Sequence, residues 1–282
     1  MKKILLPLLL LIPFAAFAQT TYDEGTSFSG RATVEADVKL AKGLHLTAHE
    51  ESRFYANTDA ILRFYTGVGL EYKVLPFLKV GAEYELINRK QYDSDEDGNT
   101  WTEWGIRHRG NFFATGTYRT GDWQFGLKET LRLTHRPGDF NAYQAPRNAL
   151  ALKSKVSVKY RGLGQVVPFA AFELRNALND AAYSGTYNAS AEKKKDNYTS
   201  EEFLGYTHAY ANRFRLQLGV TARFNKHHSL DFYLMGDRYK DKVIDTNREG
   251  SDSWAKNGLV LKSIDWYTGN MISAGVGYKW SF

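Results

Sequence analysis

The sequence predicts an all-β fold: an antiparallel transmembrane β-barrel of 10–12 strands, with short periplasmic turns and longer extracellular loops. Three observations predict it. The chain opens with an export signal, its long segments alternate apolar and polar residues, and its connections alternate between short and long.

The export signal comes first. Met1-Lys2-Lys3 precedes an apolar run from Ile4 to Phe17, with small residues at Ala16 and Ala18. This is the three-part pattern of a secretory signal peptide, with cleavage expected after Ala18. The run falls short of the roughly 20 residues that a spanning helix needs. The expected organisation is a signal peptide over 1–18 and a barrel over 19–282. The absence of cysteine removes lipoprotein anchoring, disulfides and thiolate metal sites. Without Lys2 and Lys3, the 37 basic side chains become 35 against 31 acidic ones. So small an excess on an exported chain argues against nucleic-acid binding. No later apolar run reaches 18 residues, which excludes a helical membrane protein. A barrel is compatible, because its strands alternate and its average stays polar.

The period of two is clearest from Phe28 to Leu40. The even positions are apolar or small (Phe28, Gly30, Ala32, Val34, Ala36, Val38, Leu40) and the odd ones polar or charged. Successive side chains of a strand point to opposite faces, so this segment has one apolar and one polar face. The pattern recurs over 62–74, 78–86, 123–134, 150–160 and 213–224. Tight turns are expected at 41–43, 75–76, 120–122, 161–164 and 225–228, and long connections at 57–60, 92–100, 137–148, 178–200 and 245–269. Short turns on one side and long loops on the other are the asymmetry of outer-membrane barrels. The acidic stretch Asp93–Asn99 has the composition of a calcium loop but lacks the distal Glu and flanking helices, so a solvated tip is expected.

The last segment puts Ile272, Ala274, Val276, Tyr278, Trp280 and Phe282 in one row. It resembles the carboxy-terminal strand by which barrel insertion machinery recognises its clients. Repeats of about 12 residues are long for a sandwich, whose strands average near six. In lipid, closure is forced, because an open edge would leave backbone groups unpaired. Tyr55, Trp104, Tyr118, Trp123, Tyr160 and Trp280 suit interfacial aromatic girdles. The connections imply ten strands from Leu44 onward, with Phe28–Leu40 as an eleventh. An odd count is unusual, and implies either a further strand or an unusual pairing of Phe28–Leu40.

Several motifs carry a family resemblance: His49-Glu50-Glu51-Ser52-Arg53-Phe54, Gly67–Val74, Asn88-Arg89, Arg107-His108-Arg109, Asn225–Tyr233 and Gly275–Phe282. Together they resemble an uncharacterised outer-membrane β-barrel family of Bacteroidota-type bacteria. The resemblance implies location and fold, and supplies no catalytic residue, substrate or cofactor.

With the apolar rows facing outward, the other rows line the interior. A basic wall is expected from Arg107, Arg109, Arg119, Lys128, Arg132, Arg136, Lys153, Lys155 and Lys159, extended by Arg213, Arg215 and Arg223. An acidic wall is expected opposite, from Glu35, Asp37, Glu51, Glu71, Glu83, Glu85 and Glu103. Two functions follow. The basic wall lines a path for small anionic solutes, since arginine binds carboxylate and phosphate in bidentate fashion. Alternatively the two walls meet as a salt-bridge network and the barrel is a plugged, non-conducting structural or accessory protein. No enzyme is expected, because no nucleophile–base motif is present. No metal is expected either: His45 and His49 lie roughly 13 Å apart on a strand. Glu129 falls on the apolar row, which implies a bulge, an interfacial position or a partner protein. The long loop 178–200, with Lys193-Lys194-Lys195, either serves such a partner contact or is simply a solvated loop. The partners expected are lipid, the insertion machinery at Phe282 and an anionic solute.

Overall fold

The computed structural model describes residues 21–56, 60–94, 100–138, 141–184, 202–246 and 261–282. The signal segment, most of the Asp93–Asn99 stretch and Lys193–Lys195 lie outside the described residues.

Each alternating segment is a strand. They are β1 (Thr21–Ala41), β2 (Leu44–Ala56), β3 (Ala60–Leu75), β4 (Leu78–Ser94), β5 (Thr100–Thr120), β6 (Trp123–His135), β7 (Asn148–Tyr160) and β8 (Val166–Asp180). Two short strands, β9 (Tyr183–Ser184) and β10 (Glu202–Phe203), pair with each other between β8 and β11. The chain ends with β11 (His208–Arg223), β12 (His228–Thr246) and β13 (Leu261–Ser281). The eleven long strands close in the order β1-β13-β12-β11-β8-β7-β6-β5-β4-β3-β2.

The closure corrects the expectation of an all-antiparallel barrel. β1 pairs antiparallel with β2 but parallel with β13, from Phe28↔Ile272 to Asp37↔Ser281. The reason is parity: in an up-and-down chain of eleven strands the first and last run the same way, so their seam is parallel. Thr21 therefore pairs with Trp266 at the loop end of β13, while Phe282 lies at the turn end and donates its N–H to the Asp37 carbonyl at 2.9 Å. All five predicted tight turns fall between strands. Gly43 (φ 80°) and Gly121 (φ 54°) supply the left-handed positions that two of them require.

The surface is inverted relative to a soluble protein. Outward side chains are apolar and open, with Phe28 51% and Leu234 64% exposed. Inward ones are polar and closed, with Ser273 0% and Asp237 3% exposed. Trp104, Tyr118, Trp123 and Trp280 lie exposed on the outer face. Tyr55 does not join them. It has the inward parity of β2, and its ring lies 5.0 Å from the Arg63 guanidinium carbon.

Glu129 faces outward, as its parity predicts. No bulge shifts its register, which pairs it with Ala114 and Ser154. The Ser154 hydroxyl donates to its carboxylate at 2.6 Å. At the loop end, Ala181, Ile244, Leu261 and Ile264 form an apolar cluster packed by Tyr183, Phe203 and Tyr206. Tyr183 and Tyr206 donate their hydroxyls to the carbonyls of Tyr143 and Ala142, tying the β6–β7 and β8–β11 connections together.

Candidate functional site

The candidate site is the barrel interior. Most of the predicted basic wall faces it: Arg107 and Arg109 on β5, Lys128 and Arg132 on β6, Lys153, Lys155 and Lys159 on β7, Arg213 and Arg215 on β11. Arg119 is exposed at the turn end of β5. It meets Arg223 and Arg161 in a basic collar, and burial together with those two guanidiniums lowers the pKa of the turn residue Arg161. Arg136 lies one residue past β6, its N–H bonded to the Arg147 carbonyl at 3.0 Å.

Six of the seven acidic residues lie on β1–β4, across the ring from β6 and β7, with Glu103 on β5, but cations stand among them, so the acidic side is not continuous. Glu83 and Glu85 lie on β4, next to the basic β5. Arg109 Nη1 is 3.0 Å from Glu85, and Asn111 donates to Glu83 at 2.9 Å. Glu35 and Asp37 share Lys279, at 2.6 and 3.2 Å, and Glu71 holds Lys79 at 2.5 Å. Glu103 is exposed at the loop end of β5. The signs interleave around the lumen because a carboxylate inside a low-dielectric wall is stable only beside a cation.

A chain of ion pairs follows the inner wall of the barrel. Arg215 grips Asp237 in bidentate geometry at 2.6 and 2.8 Å, and the Asp237 side chain is sealed from solvent. Arg31 and Arg213 each approach Asp237 at 3.8 Å. On the other side Arg215 lies 3.5 Å from Glu173, which pairs with Lys153 at 3.0 Å. The chain therefore joins β1, β12, β11, β8 and β7.

Sequence reasoning missed Arg31, Arg53, Arg63, Arg89, Glu173 and Asp237. All have inward parity on their strands, which was the available signal, but their partners depend on register. Four of them form a row. Arg31 faces Arg53, Arg53 faces Arg63, and Arg63 faces Arg89 on successive strands. Like charges directly opposite one another are destabilising unless compensated. At the β1–β2 end Glu51 compensates them: it is bonded by Arg53 and lies 4.0 Å from Arg31. The Tyr65 ring lies 4.0 Å from the Arg53 guanidinium carbon and 5.5 Å from that of Arg109, and its hydroxyl accepts from Arg53 at 3.0 Å.

His49 does not pair with His45 or Glu51. It leans across β3, over Gly67, so that its nitrogens lie 3.8 Å from Glu83 and 3.5 Å from Glu85. These three residues have the donor types of a divalent-metal site. Both carboxylates are already engaged by Arg109 and Asn111, so the group reads as an ion-paired histidine.

The fold and interior define a class: a closed mixed β-barrel with an apolar outside and a charged, arginine-rich lumen. No family model matches the chain, and no curated protein matches it.

Proposed function

We propose that the protein is an outer-membrane barrel that passes small anionic solutes through a narrow basic lumen, with no chemical step of its own. One observation carries the reading. β6 and β7 place Lys128, Arg132, Lys153, Lys155 and Lys159 inward and no acidic residue beside them. Their counter-charges come from other strands, Glu173 on β8, Glu85 on β4 and Asp231 on β12, and are fewer than the five cations, so this wall holds a net positive field of the kind that selects anions.

The membrane location is supported by the outward apolar belt and by strand length. The shortest barrel strands have 13 residues, against the roughly 9–11 that cross a bilayer at a tilt. The leader-like first 18 residues, the apolar row ending at Phe282 and the resemblance to a Bacteroidota-type barrel family support the same reading.

A second reading has its own observation. The chain of ion pairs centred on the sealed Asp237 lines the inner wall over about half the ring of strands, from β1 to β7. This favours a non-conducting structural or accessory barrel, closed by its own side chains.

Single-channel recording of the refolded protein in planar bilayers separates the two. Steady openings with anion preference, weakened by Arg132→Glu and Lys155→Glu, support the pore. A folded, heat-modifiable barrel without conductance leaves the closed reading.

A further inference from the structure

The arginine row is compensated at one end only. Glu51 and Asp237 lie within ion-pair distance of its β1–β2 half. Among the described residues, no carboxylate lies within 4 Å of the guanidiniums of Arg63 and Arg89, at the loop-side half. Their register places the two directly opposite. Arg107 joins them from β5 and Arg136 from just past β6, close enough that Arg63 and Arg136 act on both Arg89 and Arg107. The acidic influence on Arg89 comes from the Tyr65 hydroxyl and from Glu103, which is exposed at the strand end, and that on Arg136 from Asp180 beyond ion-pair distance.

Two further observations point to a ligand. The Nε atoms of Arg63 and Arg136 are buried without a hydrogen-bond partner, although a buried donor is stable only when it donates. The residue that continues the row beyond Arg89 is Gly105. A Cβ added there would come no nearer than 4.0 Å to any neighbour, so the wall beside Arg89 is open.

We propose that Arg63, Arg89, Arg107 and Arg136 form a binding site for a small solute bearing a carboxylate or phosphate group, at the loop-side end of the lumen. Planar guanidiniums converging from neighbouring strands match the paired oxygens of such a group. The anion then supplies the charge that Glu51 and Asp237 supply lower in the barrel. The proposal deepens the pore reading and rests on it only for the route by which solute arrives.

The test is calorimetric titration of the detergent-solubilised, refolded mature barrel with inorganic phosphate and, separately, with citrate at constant chloride. The expected result is saturable binding of at least one of them, weakened about tenfold or more by Arg63→Gln and by Arg89→Gln. Lys226→Gln, in an exposed turn, leaves it unchanged. Removing one charge from a like-charged pair favours folding, and heat-modifiable gel mobility confirms that each variant is folded. Saturable binding that survives in the Arg63→Gln/Arg89→Gln double variant overturns the site, as does a folded barrel that binds neither anion. The titration needs no current. Binding without conductance leaves the site and removes the pore, whereas conductance without binding does the reverse.

Discussion

Asp237 accepts two hydrogen bonds from Arg215 while its carboxylate is wholly withdrawn from solvent. Removing one partner of such a pair strands the other charge in a low-dielectric wall. Asp237→Ala is expected to lower the stability of the refolded barrel by about 3–5 kcal/mol. Arg31, Arg213 and Arg215 all lose their shared counter-charge in that variant. Urea unfolding in vesicles, followed by tryptophan fluorescence, measures the loss. A change below about 1 kcal/mol would show that water reaches this carboxylate.

The parallel seam puts the two ends of the barrel chain on opposite sides. An epitope inserted just before Thr21 is expected on the side of the long loops, and one placed after Phe282 on the side of the tight turns. Antibody labelling of intact and permeabilised cells distinguishes them. Labelling of both epitopes only after permeabilisation contradicts the seam.

Gly67 is required by His49. A Cβ on Gly67 would stand 2.2 Å from the imidazole, so Gly67→Ala must push His49 away from Glu83 and Glu85. The expected cost is about 1–3 kcal/mol from overpacking. A double variant with His49→Ala recovers most of it if the clash is the cause, and the same unfolding assay reports both.

The His49–Glu83–Glu85 group should ignore divalent metals, because Arg109 and Asn111 already hold its carboxylates. Zinc added to the folded protein is expected to leave the thermal midpoint unchanged. A zinc-dependent rise that disappears in His49→Ala would make the group a metal site.

Glu129 and Ser154 interrupt the apolar outside with a hydrogen-bonded pair, as Glu50 and Thr66 do. Replacing both, as Glu129→Leu with Ser154→Ala, is expected to stabilise the barrel in vesicles by about 1 kcal/mol, because an ionisable group leaves the outer face that the proposed membrane location sets against lipid. Destabilisation by the pair of changes would mean that the hydrogen bond outweighs the cost of the charge.

Much of this protein was determined by local alternation. The side-chain period of a strand is two, so the apolar row Phe28–Leu40 and its repeats specified which residues face outward and which line the lumen. Turn chemistry placed the five tight connections, and the count of segments placed the total within 10–12. Register was beyond that reach. Whether Arg63 meets Arg89, or Glu85 meets Arg109, depends on which residues pair across neighbouring strands. The same is true of contacts that skip a strand, such as Arg31 with Asp237 across β13 or His49 with Glu85 across Gly67. Parity assigned the charges to the interior, but only closure of the barrel decided that the signs interleave, that β1 and β13 run parallel, and that the arginine row is neutralised at one end and open at the other.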